Sequence, residues 1–328
     1  MDVEVKSFPQ ELAGSWKVIS YIVRVDSEIY IIDAGVKRES DFERLDGIVR
    51  ELGGWGRVEA VILTHAHADH TGMLSYIEES CEAPIYVHEG DRWMIEEYGR
   101  YIDSVLEVMN RAIEWGFPKE HLFYISLRWS RRGRVTGRAT YWSGEEERIG
   151  ALKLIHTPGH SPGSSSVVVD DKVFTGDTVG RATPLVDDLE AQVKSLKLIG
   201  GLGVEKLYTA HDGELPREQC YRLIESYARK LRRIIEACRG VSDFTGIFTR
   251  VYGEPGRLGF RCLFAVINLM KYISYLEERG VIERFYRGGR PLWRIAGGAG
   301  EALARVREFL NNTSVLSNDV LVDSSSSG

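Results

Sequence analysis

Long apolar runs, paired cysteines and amide side chains are all scarce in this chain, and each scarcity excludes something. Apolar stretches such as Ala60 to Leu63 and Val167 to Val169 are strand-sized, far short of the ~18 residues a membrane-spanning helix needs. Residues 1–8 alternate acid and base with small apolar side chains. That is not the basic-then-apolar order of a secretory leader, so a cytoplasmic protein with no membrane association is expected. The four cysteines, Cys81, Cys220, Cys238 and Cys262, are widely scattered and form no Cys-x-x-Cys pair. Neither a disulfide framework nor a zinc ribbon fits them, and they read as small buried hydrophobes. Three Gln and five Asn are few beside 42 basic and 48 acidic residues, a depletion of thermolabile amides that points to a hot-living source.

What is present describes a globular protein. At 328 residues, 43% hydrophobic and 27% charged, the chain suits one large and one small folding unit. A net charge of −6 means that any nucleic-acid role must rest on a local patch. Residues 3–8, 17–25 and 28–33 read as strands. Helical spacing over 42–52 is followed by a Gly-Gly break, a buried strand at 58–63, a helix at 71–80 and a strand at 85–87. This alternation favours a sheet covered by helices. Residues 91–150 break the rhythm with helical periodicity from Trp93 to Trp115 and then an Arg-rich run with no acid, Arg128, Arg131, Arg132, Arg134 and Arg138. Strands return at 151–155, 165–169, 172–175 and 205–209, with helical patterns at 187–198 and 216–239. The expected division is therefore residues 1–239 as the large domain, with a helical, basic insertion at about 91–150. Residues 240–298 form a small domain in the order helix, helix, helix, hairpin, and residues 299–328 a short helix and mobile tail. Between Asp243 and Arg294 nine basic residues face five acidic ones, so that segment is net plus four.

Chemistry concentrates at strand ends. His65, His67, Asp69 and His70 form a His-x-His-x-Asp-His window directly after the strand at 58–63. His160 follows another strand in Thr157-Pro158-Gly159-His160, Asp177 another in Thr175-Gly176-Asp177, and His211 another in Thr209-Ala210-His211. Imidazoles and carboxylates are the donors that borderline-soft Zn²⁺ prefers, and a strand-end loop can turn alternate side chains toward one centre. His65 and His67 would take one ion, Asp69 and His70 another. Five of the eight histidines sit in such positions, leaving His88, His121 and His156 as structural residues.

Together with Asp33 in Asp33-Ala34-Gly35, these residues match in order the five motifs of the metallo-β-lactamase superfamily, which the chain resembles over about residues 15–215. The resemblance implies an α/β fold, a four-layer αββα sandwich with its site at one edge. It implies two Zn²⁺ ions, or Mn²⁺ or Fe in their place. His65, His67 and His160 would bind the first, Asp69, His70 and His211 the second, and Asp177 would bridge them. Asp33 would orient a ligand, and Asp69 would also guide a proton. Such a pair shares and activates a hydroxide at neutral pH, so the implied protein is a dinuclear zinc hydrolase.

What surrounds that motif set points first to cleavage of single-stranded RNA, an endoribonuclease, with two alternative readings. The segment Ile273 to Ile282, with Leu276-Glu277-Glu278-Arg279-Gly280-Val281-Ile282 leaving a helix for a hairpin, resembles the C-terminal winged helix of β-lactamase-like single-strand endoribonucleases. On that reading the Arg run, with Arg128, Arg131, Arg132 and Arg134 as contacts, lines a groove for RNA phosphates, and Trp129, Tyr141 and Trp142 stack bases. The second reading is a thioester hydrolase similar to hydroxyacylglutathione hydrolases, which share all seven ligands but end in a different, helical domain. The third is a non-catalytic metal-bearing regulator that binds nucleic acid. The exposed insertion and the appended domain are also surfaces of the kind that homodimers use.

Overall fold

A computed structural model describes residues 1–13, 16–122, 138–259, 261–296 and 304. Two six-stranded sheets face each other. The first contains, in spatial order, β1 (Val3–Ala13), β2 (Trp16–Val25), β3 (Glu28–Ile32), β4 (Val58–Ile62), β5 (Ile85–His88) and β6 (Ala139–Trp142). The second runs β12 (Gly213–Pro216), β11 (Lys206–Thr209), β10 (Lys172–Phe174), β9 (Ser165–Val169), β8 (Leu152–His156) and β7 (Glu146–Ile149). The central strands are mostly apolar because most of their side chains on both faces are buried. In β2, Ile19, Tyr21, Val23 and Val25 point into the core between the sheets, where they meet Leu152, Leu154, Val167 and Phe174 of the second sheet. Ile22 points the other way, as do Ile31 of β3 and Val61 of β4, toward helices α1 (Glu39–Glu51) and α2 (Leu74–Ser80) through Leu45, Val49, Leu74 and Ile77. The short helix α3 (Arg92–Glu96) adds Met94 to the same layer, and α4 (Tyr98–Glu114) follows it.

The outer face of the second sheet is covered by α5 (Leu189–Gly200) and α6 (Gln219–Ala237). In α6, Cys220, Leu223, Ile224, Tyr227, Leu231, Ile234 and Ile235 recur at helical spacing and are all buried, the amphipathic stripe that docks a helix on a sheet. Layers of helix, sheet, sheet and helix result. None of the described helices is long and apolar enough to cross a membrane. Burial pushes the thiols of Cys220 and Cys238 up to about 12 and that of Cys262 to about 11, so these three pack as apolar groups.

Two expectations need correction. Residues 139–150 are part of the sandwich, since β6 pairs with β5 and β7 with β8 as the terminal strands of the two sheets. The polar sequence Glu146-Glu147-Arg148-Ile149 carries no strand periodicity because three of its four side chains are exposed at a sheet edge. The C-terminal segment contains helix α7 (Phe244–Tyr252), a single 3₁₀ turn at Pro255–Arg257, helix α8 (Arg261–Glu278) and the antiparallel hairpin β13 (Ile282–Arg287) and β14 (Arg290–Ile295). Gly253, at φ 84°, ends α7, and Pro255-Gly256 leaves room for only one tight turn where a second short helix was expected.

This segment shares one apolar cluster with α5 and α6, in which Val193, Leu196, Leu231 and Ile234 meet Phe244, Phe248, Val266, Leu269 and Trp293. The end of α4 joins it through Trp115, whose ring lies 5.4 Å from that of Trp293. Trp293 is fully buried, and its indole N–H donates to Glu277 Oε1 at 2.7 Å. Replacing it should cost about 3–5 kcal/mol. Guanidinium unfolding of Trp293→Ala is expected to show one transition at lower denaturant, whereas two separated transitions would mean that the C-terminal segment unfolds on its own.

Candidate metal centre

Strand direction brings the sequence motifs together. β3 and β4 are parallel, and β8, β10 and β11 also share one direction. The C-terminal ends of each set therefore lie along one edge of its sheet. Asp33 follows β3, the loop of His65 to His70 follows β4, and His160, Asp177 and His211 follow β8, β10 and β11. The two sheets are joined at this edge by the Ser165 N–H donating to Thr64 O at 2.8 Å and the Tyr21 hydroxyl donating to Thr209 O at 2.8 Å. Two glycines permit the close approach. A Cβ on Gly176 would lie 2.4 Å from Thr64 Oγ1, and one on Gly159 would lie 2.3 Å from the Gln192 backbone, and both glycines have positive φ.

His65 Nε2, His67 Nδ1 and His160 Nε2 stand 3.0–3.1 Å from one another. Three nitrogens bound tetrahedrally to one Zn²⁺ at ~2.0–2.1 Å would be separated by about 3.3 Å. Asp69 Oδ2 lies 3.6 Å from His211 Nε2 and 3.9 Å from His70 Nε2. Asp177 stands between the two groups, with Oδ2 3.4 Å from His160 Nε2 and 3.2 Å from His211 Nε2, and Oδ1 3.4 Å from His70 Nε2. His70 Nε2 and Asp177 Oδ1 are buried and make no hydrogen bond. Two such orphaned atoms facing each other across a set of lone pairs fit a cation, because buried polar atoms are otherwise partnered. The described residues thus offer three overlapping ligand groups, His65/His67/His160, His65/His70/Asp177 and Asp69/His70/His211.

The remote ring nitrogens are held, which turns the others inward. His160 Nδ1 donates to Leu185 O at 2.8 Å and His211 Nδ1 to Lys17 O at 2.6 Å. His70 Nδ1 donates to Asp33 Oδ2 at 2.9 Å. The Thr64 hydroxyl gives its one proton to Asp33, 2.8 Å away, so it accepts from His65 Nδ1 at 3.2 Å. Asp33, at φ 62° and almost wholly buried, therefore orients two imidazoles, one of them through Thr64.

The protein's own charges divide the set. Burial, followed by the neighbouring imidazoles, holds His65 well below the ordinary histidine range, so it stays neutral with a free lone pair. Burial also opposes charge on His70 and His211. At His70, Asp33, Asp177 and Asp69 outweigh it and hold the ring well above the usual value. At His211, Asp177 and Asp69 raise it to about 9. Burial would raise Asp177, but the facing His211 and His70 prevail and hold it well below the carboxylate range. The pocket favours an anionic Asp177 surrounded by positive charge.

All seven expected ligand residues and Asp33 converge here. Arg128, Arg131, Arg132 and Arg134, together with Trp129, lie outside the described residues. Arg138 is turned to Glu82 and Glu78. Trp142 does not fit base stacking: it is buried between the sheets, with its ring 4.6 Å from that of His88. His88 and His156 stack at 3.7 Å away from the centre. Two contributing residues carried no motif. Asp91, fully buried, accepts from Ala66 N at 2.9 Å, Ser161 Oγ at 2.8 Å and Gly163 N at 2.6 Å, so it ties the His65–His67 loop to the His160 loop. Asn268 of α8 accepts from Val186 N and donates to Pro184 O, each at 2.9 Å. It thereby holds the loop whose Leu185 carbonyl fixes His160. A lone Asp after a strand and a lone Asn in an apolar helix signal nothing by spacing.

Comparisons agree with this geometry. The family model described as the metallo-beta-lactamase superfamily matches residues 16–211. The metallo-beta-lactamase fold-containing protein ST1585 of Sulfurisphaera tokodaii is 29% identical over 206 residues, 59% of this chain and 72% of its own. The acyl-coenzyme A thioesterase MBLAC2 of Gallus gallus is 26% identical over 64% of this chain and 78% of its own. Ribonuclease J 1 of Streptococcus pyogenes is 28% identical over 30% of this chain and 19% of its own. In fold, the chain is similar to the metallo-beta-lactamase family protein TTHA1429 of Thermus thermophilus, with a TM-score of 0.72 at 18% identity over 89% of this chain and 98% of that one. With its five motifs, its paired sheets and its converging ligands accounted for, the chain belongs to the metallo-beta-lactamase superfamily and is a metal-dependent hydrolase.

Proposed function

We propose that the protein hydrolyses a small-molecule ester or thioester at a two-metal centre. His65, His67 and His160 would hold one ion, Asp69, His70 and His211 the other, and Asp177 stands between the two groups. The observation that carries the reading is the convergence of these side chains from both sheets, with three imidazole nitrogens 3.0–3.1 Å apart and two orphaned buried atoms on the opposite side. Cations in such a site supply Lewis acidity and lower the pKa of water toward ~7. Zn²⁺ suits the His-rich donors, while the carboxylates also accept Mn²⁺ or Fe. Within the chain, Asp33 holds His70 Nδ1 and so keeps Nε2 aimed at the centre. Asp69 is the most exposed carboxylate of the set, and its Oδ2 would take a proton from attacking water.

The ribonuclease reading draws on the basic balance of the C-terminal segment. Four of its nine basic residues are paired: Lys271 with Asp187, Arg279 with Glu190, Arg284 with Glu277 and Arg294 with Glu283. A phosphate-binding groove needs cations free to displace counterions. An ester or thioester substrate is favoured by an apolar cavity that reaches His67 and His160, and an acyl-coenzyme A thioesterase is among the relatives.

Metal-loaded protein incubated in parallel with acyl thioesters and labelled single-stranded RNA decides between these readings. Thioester turnover is expected, abolished by a chelator, restored by Zn²⁺ or Mn²⁺, and lost in Asp177→Ala. RNA cleavage lost in the same variant would replace thioester by phosphodiester, and retention of nucleic-acid binding with no activity at all would favour a regulator. Asp33→Asn should weaken metal retention about 10–100-fold, as read by competition with a chromophoric chelator, while the far-ultraviolet circular dichroism stays unchanged.

A further inference from the structure

A cavity of 320 Å³ adjoins the three clustered imidazoles, within the size range of small-ligand sites. Its inner end is formed by His67 and His160. Its walls are apolar and come from three separate parts of the chain: Met94 of α3 with Val105 and Val108 of α4, Val186 of the loop before α5, and Ile267 of α8. The two serine hydroxyls in the lining are engaged elsewhere, since Ser104 donates to Tyr101 O at 2.7 Å and Ser161 to Asp91 at 2.8 Å. Apart from the two histidines, the charged groups in its lining are Lys271 and Asp187, which pair with each other at 2.5 Å with side chains 40% and 47% exposed. That exposure places the pair at the mouth. A base or sugar buried against these apolar walls would lose hydrogen bonds to water that Met94, Val105, Val108, Val186 and Ile267 cannot replace, a penalty that a polymethylene chain does not incur.

We infer that this cavity binds the aliphatic acyl chain of the substrate, with the scissile carbonyl at the His67–His160 end and the polar leaving group toward solvent. The inference rests on the proposed ester or thioester hydrolysis and adds to it a substrate class, medium-chain acyl compounds. It also gives the C-terminal helix a task, because Ile267 closes a wall that α4 alone leaves open. Burial of each added methylene should raise kcat/KM about fourfold until the cavity is full.

The test uses full-length, metal-loaded protein and thioesters of one thiol with acetyl, butyryl, hexanoyl and octanoyl groups. In parallel, calorimetry measures binding of butyrate, hexanoate and octanoate, a readout that needs no turnover. Val108→Trp and Ile267→Trp fill the cavity from opposite walls, and Leu198→Trp, on the exposed side of α5, serves as the control. Expected are a rise of roughly fourfold per methylene, a parallel rise in fatty-acid affinity, and loss of both gradients in the two cavity variants but not in the control. A flat chain-length profile with metal-dependent turnover would overturn the acyl site while leaving the hydrolase reading intact, as would equal loss at every chain length in both cavity variants. Graded fatty-acid binding that the cavity variants abolish, with no turnover of any thioester, would support the acyl site and overturn the thioester reading.

Discussion

Five imidazoles and two carboxylates are held at one sheet edge with their donor atoms facing inward, and this crowding is the constraint to which the rest of the molecule answers. Lone pairs 3.0 Å apart repel, and burial removes the water that would screen them, so the arrangement stands where the outer atoms of His65, His70, His160 and His211 are tied down and a positive charge suits the interior. Asp33, Thr64, the Leu185 carbonyl and the Lys17 carbonyl are those ties. Each lies on a different strand end or loop, and the facing sheets are what put them in reach. The inter-sheet core of Tyr21, Ile62, Leu154, Val167 and Phe174 thus acts on function by fixing the distance between two half-sites.

The C-terminal segment extends the same logic. Asn268 holds the loop that orients His160, and Phe264 on the same helix packs 5.4 Å from Trp16, whose ring lies 5.0 Å from His211. One helix therefore touches the supports of ligands on both sides of the centre, while its Ile267 and Lys271 line the adjoining cavity. Its apolar cluster with α5 and α6 gives it the rigidity to do so. The exposed ion pairs of the segment, such as Lys271 with Asp187 and the cross-strand pair Arg294 with Glu283, add little to stability.

Much of this was legible in the residues. A His-x-His-x-Asp-His window after a continuous apolar strand, followed by single Asp and His residues each ending a later strand, specifies a shared edge, because side chains that far apart in sequence meet only where strands of one direction end together. The strands and helices that bury a periodic face, such as β2 and α6, were equally clear. Elements whose pattern is set by tertiary position were not. β7 is polar because it is an edge, and β6 reads as a pair of surface aromatics although Trp142 fills the core. Asp91 and Asn268 act through main-chain groups of distant loops, which no local spacing encodes. Net charge in the C-terminal segment says nothing of pairing, and Lys271 and Arg279 there meet Asp187 and Glu190 from outside it.

The central claim is that the seven converging side chains hold two cations. Elemental analysis of protein equilibrated with excess Zn²⁺ and then dialysed tests it most directly, with wild type measured beside His65→Ala and His211→Ala. The account predicts about two ions per chain in the wild type, with each variant losing mainly the ion on its own side and keeping the wild-type fold. A wild type that retains no metal, or variants that bind as much metal as the wild type, would contradict it.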